Sequence, residues 1–415
     1  MKHKRHLLFL LLLVSGFGLI LSSSSPGATR GNTLPPLPKM WQIVWADDVS
    51  VTRLLTSKNL GYDGAFKCVA YAPNYPNAPI YAGGEWRLVE RVEGQYDWSS
   101  LQTCLDNALQ ANLWFIPEIV INIPPEWFIQ RYPDSLLQDS RGITATDIQA
   151  EGAPYLLSPW FIAGGEADAY LQPFVTAFLD LVAQYPNVPA VMIGNFKLNV
   201  LPWKMGTNDS DNFTYWPIWD EYAKTSFAGA FGGGVLPPAT WDDYQAMSET
   251  EKAAFRDWLT SALETNLQTR YLPWVADFAG WKVINASIWD NDGVRPSIFT
   301  TSTPEMVAAK QAAMLAAAAS GVIINDDNMG DCGLQQFQQQ DVILAHANGF
   351  LILGERVPDT CSWENMFLMW QALDPKPDGF INIGAADASW TAQFRTLYGA
   401  PSEPFLELFL PLVFR

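Results

Sequence analysis

The chain has 415 residues, 49% of them apolar and 16% charged, with a formal charge of −18 at pH 7. That length can bury a large core, and one barrel of roughly 250 residues with insertions fits it as well as two domains do. The acidic balance argues against nucleic acid or anionic lipid as a partner and favours a neutral ligand.

Residues 1–5 are mostly basic, 7–20 are almost wholly apolar, and 22–29 are small and mostly polar. This is the pattern of a secretory signal peptide cleaved near Ala28. A retained membrane anchor is the alternative, but the apolar run is short for a span. No Cys stands at the cleavage region to take a lipid, and no second stretch is long enough to cross a bilayer. The expected organisation is a signal peptide over 1–28, an N-terminal extension over 29–60, a barrel over 61–400 and an apolar C-terminal tail over 401–415. The tail is expected to pack on the barrel bottom, with a sorting signal as the other reading. The mature protein is then secreted or held at the cell surface without a membrane span.

Short apolar runs alternate with helical patterns, the signature of βα repetition and a parallel sheet. Strands are predicted at 66–71, 80–88, 113–121, 188–196, 281–289, 322–327, 350–355 and 379–384. Residues 41–45 compete with 66–71 for the first position, because no helix separates Tyr71 from Ile80. Helical spacing of apolar residues marks 101–110, 169–184, 251–267, 304–319, 335–347, 364–371 and 388–397. Thr303-Pro304-Glu305 is a helix start, with Thr as N-cap and Pro at the first helical position. The fold class is therefore α/β, a (β/α)8 TIM barrel with long insertions after strands 3 and 4, over 124–168 and 197–280. Both insertions leave the rim on which barrel active sites form.

His3 and His6 lie in the signal segment, so His346 is the one histidine of the mature chain. A Ser-His-Asp triad would depend on it, and its place in the helical stretch 335–347 reads instead as a helix-surface residue. Too few histidines remain for a His-rich metal site, paired Cys ligands are absent, and no metal or other cofactor is expected. Chemistry must rest mainly on carboxylates. Cys332 and Cys361 each follow a predicted strand and share one rim, which places a disulfide between them. Cys68 and Cys104 flank the second unit and form the other candidate pair, although four cysteines permit three pairings.

One region carries a recognisable order of motifs: Gly84-Glu85-Trp86-Arg87-Leu88-Val89-Glu90, then Val92-Glu93-Gly94-Gln95-Tyr96-Asp97-Trp98, an amphipathic helix, the strand 113–121, and Pro124-Pro125-Glu126-Trp127. This order resembles the second and third βα units of clan A glycoside hydrolases, most nearly family 42 with its β-galactosidases, and more distantly the β-amylases. The likeness runs loosely from Gly84 to Trp289, through Tyr132-Pro133-Asp134 and Phe255-Arg256-Asp257-Trp258-Leu259. It implies a carbohydrate ligand and a retaining mechanism with two glutamates. One follows an Asn at the end of strand 4 and acts as acid/base; the other ends strand 7 and acts as nucleophile. Retention needs the two carboxyls about 5 Å apart across the glycosidic bond.

Strand 7 delivers Glu355 to the nucleophile position, where Arg356 would favour its ionised form; a structural Glu355–Arg356 ion pair is the alternative. Strand 4 departs from the pattern. If Asn195 matches the family Asn, Phe196 stands at the acid/base position; laid against the β-amylases, Asn199 does. Neither gives up a proton. Glu118, inside the apolar strand Phe115-Ile116-Pro117-Glu118-Ile119-Val120, is the substitute acid, because burial favours the protonated form, or else a hydrogen-bond acceptor supporting the site. Asp290 and Asp292 follow strand 5, and Asp326 and Asp327 follow strand 6. Asp290-Asn291-Asp292-Gly293 is similar to a calcium loop, but the required Glu is missing, which leaves sugar-hydroxyl acceptors. The 18 Trp residues include several at strand ends or rim loops, among them Trp86, Trp127 and Trp289, where indole faces suit sugar rings, and core packing is the competing role for any one of them. Glu355 and Glu118 are thus the catalytic candidates; Trp86, Trp127, Asn195, Asn199, Trp289, Asp290 and Asp327 are the candidates for binding. The other reading is a barrel that binds carbohydrate without cleaving it.

Overall fold

The computed structural model describes residues 34–45, 50–69, 84–145, 155–194, 215–285, 304–326, 332, 335–356, 361–382 and 387–400. The chain opens with β1 Met40–Trp45 and α1 Val51–Asn59, then β2 Gly64–Val69, α2 Trp86–Val89 and α3 Ser99–Gln110. β3 Trp114–Ile116 and β4 Glu118–Val120 follow, with α4 Glu126–Arg131, α5 Pro159–Gly164 and α6 Asp168–Val182. β5 Ala190–Gly194 precedes α7 Glu221–Phe231, α8 Trp241–Ala246, α9 Glu249–Asn266 and α10 Leu272–Trp274. The remainder alternates: β6 Trp281–Asn285, α11 Pro304–Ala318, β7 Val322–Asp326, α12 Gln335–Ala347, β8 Leu351–Arg356, α13 Trp363–Ala372, β9 Gly379–Asn382 and α14 Ala388–Tyr398. No helix among the described residues is long and apolar enough to cross a membrane.

The nine strands form one parallel sheet in the order β3-β2-β1-β9-β8-β7-β6-β5-β4. Its two ends, β3 and β4, are consecutive in the chain and separated by Pro117, which has no N–H to give to a ladder. The Pro117 carbonyl still accepts the Met192 N–H at 2.9 Å. The sheet is therefore nearly closed and TIM-barrel-like, with β3 and β4 sharing the third strand position.

Side chains alternate along each strand with period two. Trp41, Ile43, Phe66, Trp114, Ile116, Met192, Val283, Ile323, Leu353 and Ile381 fill the lumen. Ala65, Phe115, Ile119, Val191, Ile284, Ile324, Ile352 and Phe380 face the helices. At the lumen floor Gly64 makes room for Trp41, since a Cβ there would lie 2.3 Å from the Trp41 ring.

Two expectations need correction. The barrel begins at Met40, inside the stretch read as an N-terminal extension over 29–60. Asp63 seats that strand, its carboxylate accepting the N–H groups of Lys39 and Met40 at 2.9 Å each. The strand expected over 80–88 is not one in its described part: Trp86–Val89 is a helical turn, and Glu85 makes a single bridge to Val120. The turn puts the Trp86 ring against Phe128 at 4.9 Å, burial that an extended chain standing off β4 would not supply. One strand gained and one lost leave Glu355 on the seventh position.

The long connection from β5 to β6 builds a core of its own. Trp216, Phe227, Tyr244, Phe255 and Trp258 pack there with Val120, Ile123 and Trp160, which come from the end of β4 and from α5. Trp160 and Trp258 stack at 4.6 Å. Capping boxes start its helices, Thr240 with Asp243 for α8 and Ser248 with Glu251 for α9.

Candidate active site

The C-terminal ends of the strands carry the polar residues of the lumen. Glu355 lies opposite Ile381 in the β8–β9 register, and Asn325 lies opposite Leu353 in the β7–β8 register; both partners are lumen residues. The Asn325 amide Nδ2 donates to Glu355 Oε2 at 3.0 Å, and Glu355 is 5% exposed. An amide donor orients a carboxylate while leaving its second oxygen for chemistry. Period two sends Arg356 to the other face. Its guanidinium donates to Asn382 at 3.2 Å and lies 3.9 Å over the Trp363 ring, so it is not the expected partner of Glu355.

Glu118 continues the lumen series Trp114, Ile116 and pairs in register with Met192. It is 6% exposed, and the expectation of a desolvated carboxyl holds only in part, because Lys67 Nζ stands 3.7 Å from Glu118 Oε2. A neighbouring ammonium offsets the cost of a buried carboxylate charge. Strand order puts this pair on the second and third positions and Glu355 on the seventh, across the lumen.

Glu118 is also fixed from behind. The Gly84 carbonyl accepts the Val120 N–H at 2.9 Å, and a Cβ on Gly84 would stand 1.9 Å from the Glu118 carbonyl oxygen. Trp86, expected to hold a ligand, is fully buried instead, with its indole N–H on Glu90 at 2.5 Å. Burial pushes the Glu90 carboxyl up, opposed by hydrogen bonds from the Gly94 N–H and the Trp86 indole. Trp127 is half-buried; its N–H goes to the Glu90 carbonyl at 2.8 Å, and the Arg131 guanidinium lies 5.5 Å from its ring. These two indoles belong to an aromatic cluster with Phe128 and Tyr170, outside the lumen. Asn195, Asn199, Trp289, Asp290 and Asp327 lie outside the described residues.

His346 bonds Asp378 at 2.7 Å, and that carboxylate also accepts the Ile352 N–H at 2.9 Å, tying α12 to the turn before β9. No group of three or more potential metal ligands occurs among the described residues. Lys67, Asn325 and Gly84 are the site residues that sequence reasoning passed over. A lysine inside the apolar run Ala65-Phe66-Lys67-Cys68-Val69 was the available signal for the first.

Cys332 and Cys361 are disulfide-bonded, with Cα atoms 5.4 Å apart and a sequence separation of 29. The bond joins the segment after β7 to the start of α13, on either side of the strand that carries Glu355. Cys104 is disulfide-bonded as well. Closing a loop of that length is worth about 3.5 kcal/mol in the chain-entropy account. The double variant Cys332→Ser/Cys361→Ser is expected to lose roughly 2–4 kcal/mol of stability, read as a lower urea midpoint.

Residues 81–160 match the glycoside hydrolase 42 β-galactosidase family. That segment holds Gly84, Trp86, Glu118 and Trp127. The fold is similar to that of the β-galactosidase from the psychrophilic Marinomonas ef1, with a TM-score of 0.52 at 12% identity over 86% of this chain and 59% of that one. The β-galactosidase from Rahnella sp. R3 scores 0.49 at 12% identity, over 85% of this chain and 52% of that one. The enzyme from Bacillus circulans sp. alkalophilus scores 0.47 at 14%, over 83% and 50%. The chain thus spans well under two thirds of these relatives' length. No curated protein sequence matches it.

Proposed function

We propose that the chain is an exported glycoside hydrolase, β-galactosidase-like, that acts on β-linked sugars with retention through Glu355. The observation that carries this reading is a lumen-facing glutamate at the end of the seventh strand, held by Asn325 at 3.0 Å, within a barrel whose residues 81–160 match family 42. In the first step a Glu355 oxygen attacks the anomeric carbon as the bond to the leaving oxygen breaks. In the second, water attacks the same carbon, gives up one proton to solvent, and the Glu355 carboxylate departs. The leaving oxygen must take a proton unless it is already a good anion. Export rests on the sequence pattern of residues 1–28.

The family position for the acid holds no carboxyl. Phe196 or Asn199 stands where the family acid is expected, and Glu118 is paired with Lys67. Nitrophenolate departs without a proton, whereas an ordinary sugar alkoxide does not. The wild type is therefore expected to cleave p-nitrophenyl β-galactoside at least about 100-fold faster than lactose, and Asn199→Glu or Phe196→Glu should narrow that gap. Efficient lactose cleavage that Glu118→Gln removes selectively would assign the acid to Glu118. Sugar binding without cleavage of either substrate would instead establish the non-catalytic carbohydrate-binding barrel, which the strand-4 sequence favours.

A further inference from the structure

β2 contains an irregularity that its own packing does not require. Ile43 pairs with Phe66 and Val44 with Cys68, so Lys67 is the extra residue of a β-bulge. Its φ is +57°, in the left-handed region that only glycine enters without cost. Phe66 already faces the lumen, so an unbulged strand would turn Lys67 outward toward the helices. The bulge turns it back, and its ammonium meets Glu118 at 3.7 Å. Bulges at barrel rims re-aim side chains in this way.

Stability alone is a poor reason for such an arrangement. A buried ion pair loses most of its Coulombic gain to desolvation, and apolar replacements of similar volume are often as stable. Here a backbone outlier is added to that cost, and the pair lies at the C-terminal half of the strands, the end that carries Glu355 and Asn325.

We infer that Lys67 and Glu118 form a specificity-determining pair that reads adjacent hydroxyls of one sugar ring, on the side of the lumen opposite Glu355. This rests on the proposed glycosidase reading. The ammonium donates and the carboxylate accepts, so together they match two neighbouring hydroxyls, one used as acceptor and one as donor. A site built to hydrogen-bond a hydroxyl discriminates strongly against the analogue that lacks it, because its own groups are left unpaired.

The test uses p-nitrophenyl β-galactoside and its 2-, 3-, 4- and 6-deoxy forms with the wild type, Lys67→Met, the apolar pair Lys67→Met/Glu118→Leu, and Glu355→Gln. Lys67→Met is expected to lower kcat/KM for the parent sugar about 100-fold, mainly through KM, yet to change it little for one deoxy sugar that already lacks the hydroxyl read by Lys67. Lys67→Met/Glu118→Leu should melt at or above the wild-type temperature. An equal loss on every sugar, no loss at all, or a melting temperature far below wild type would make the pair structural and overturn the inference. If the wild type cleaves none of the series while Glu355→Gln is equally inert, the hydrolase reading fails on its own. The same sugars are then compared as ligands by thermal shift: a shift lost in Lys67→Met for all sugars but one supports the pair, and identical shifts in both proteins overturn it.

Discussion

Glu355→Gln is expected to abolish turnover of p-nitrophenyl β-galactoside, with kcat falling on the order of 10⁴-fold and sugar binding nearly intact. The amide keeps the shape of the carboxylate, and its oxygen still accepts from Asn325, whose Nδ2 is 3.0 Å from the carboxylate in the parent. It cannot attack the anomeric carbon. The variant removes a charge from a residue that is 5% exposed, so it should fold as well as the parent or better. Steady-state kinetics with a melting curve on the same sample decide the matter. A loss below tenfold with an unchanged melting temperature would assign Glu355 to structure.

The largest stability effect should come from a glycine. At Gly84 the three atoms nearest an added Cβ are Glu118 O at 1.9 Å, Glu118 C at 2.8 Å and Ile119 Cα at 2.9 Å, all backbone. None can swing aside as a flexible side chain would. Gly84→Ala must therefore push the 84–90 segment off β4 or move β4 itself, at a cost of about 3 kcal/mol or more. Glu118 rides on that strand, so activity should fall with stability. Gly229→Ala is the control: nothing lies within 4 Å of its Cβ, and it sits inside α7. That change should raise stability by about 0.5–1 kcal/mol. Denaturant melts of both variants test the contrast, and a Gly84→Ala protein as stable as wild type would refute the packing.

The outer elements of the fold were legible where periodicity was strong. The helices expected at 101–110, 251–267 and 335–347 appear as Ser99–Gln110, Glu249–Asn266 and Gln335–Ala347. Strands buried on both faces read as plain apolar runs, and for that reason the runs at 281–289 and 350–355 hold β6 Trp281–Asn285 and β8 Leu351–Arg356. Trp86 misled because aromatic and β-branched residues mark strands and short buried helices alike. Residues 41–45 were undervalued because an early strand without a clear partner cannot be distinguished by composition from an extension. Pro117 went unread as the break between β3 and β4.

The placement of Glu355 at a strand end could be read because an apolar run ending in a carboxylate is a local pattern. Lys67 could not: its direction depends on one extra residue in β2 relative to β1, a property of two strands together. Arg356 is next to Glu355 in sequence but not in space, because neighbours on a strand face opposite ways.

The second core between β5 and β6 bears on what a melting curve of this protein would mean. Its aromatic residues pack largely on one another, and it meets the barrel through Val120 and Ile123, through α5, and through α9, whose Leu263 lies in the main core. Such a unit can open while the ring of strands stays shut, so hydrogen exchange would sort its amides into a class apart. The Trp160–Trp258 stack, with planes 14° from parallel, places two indole transition dipoles close enough to couple. Near-ultraviolet circular dichroism therefore carries a contribution from the contact of this unit with α5, and a single transition temperature describes the whole chain only if that contribution and the sheet are lost together.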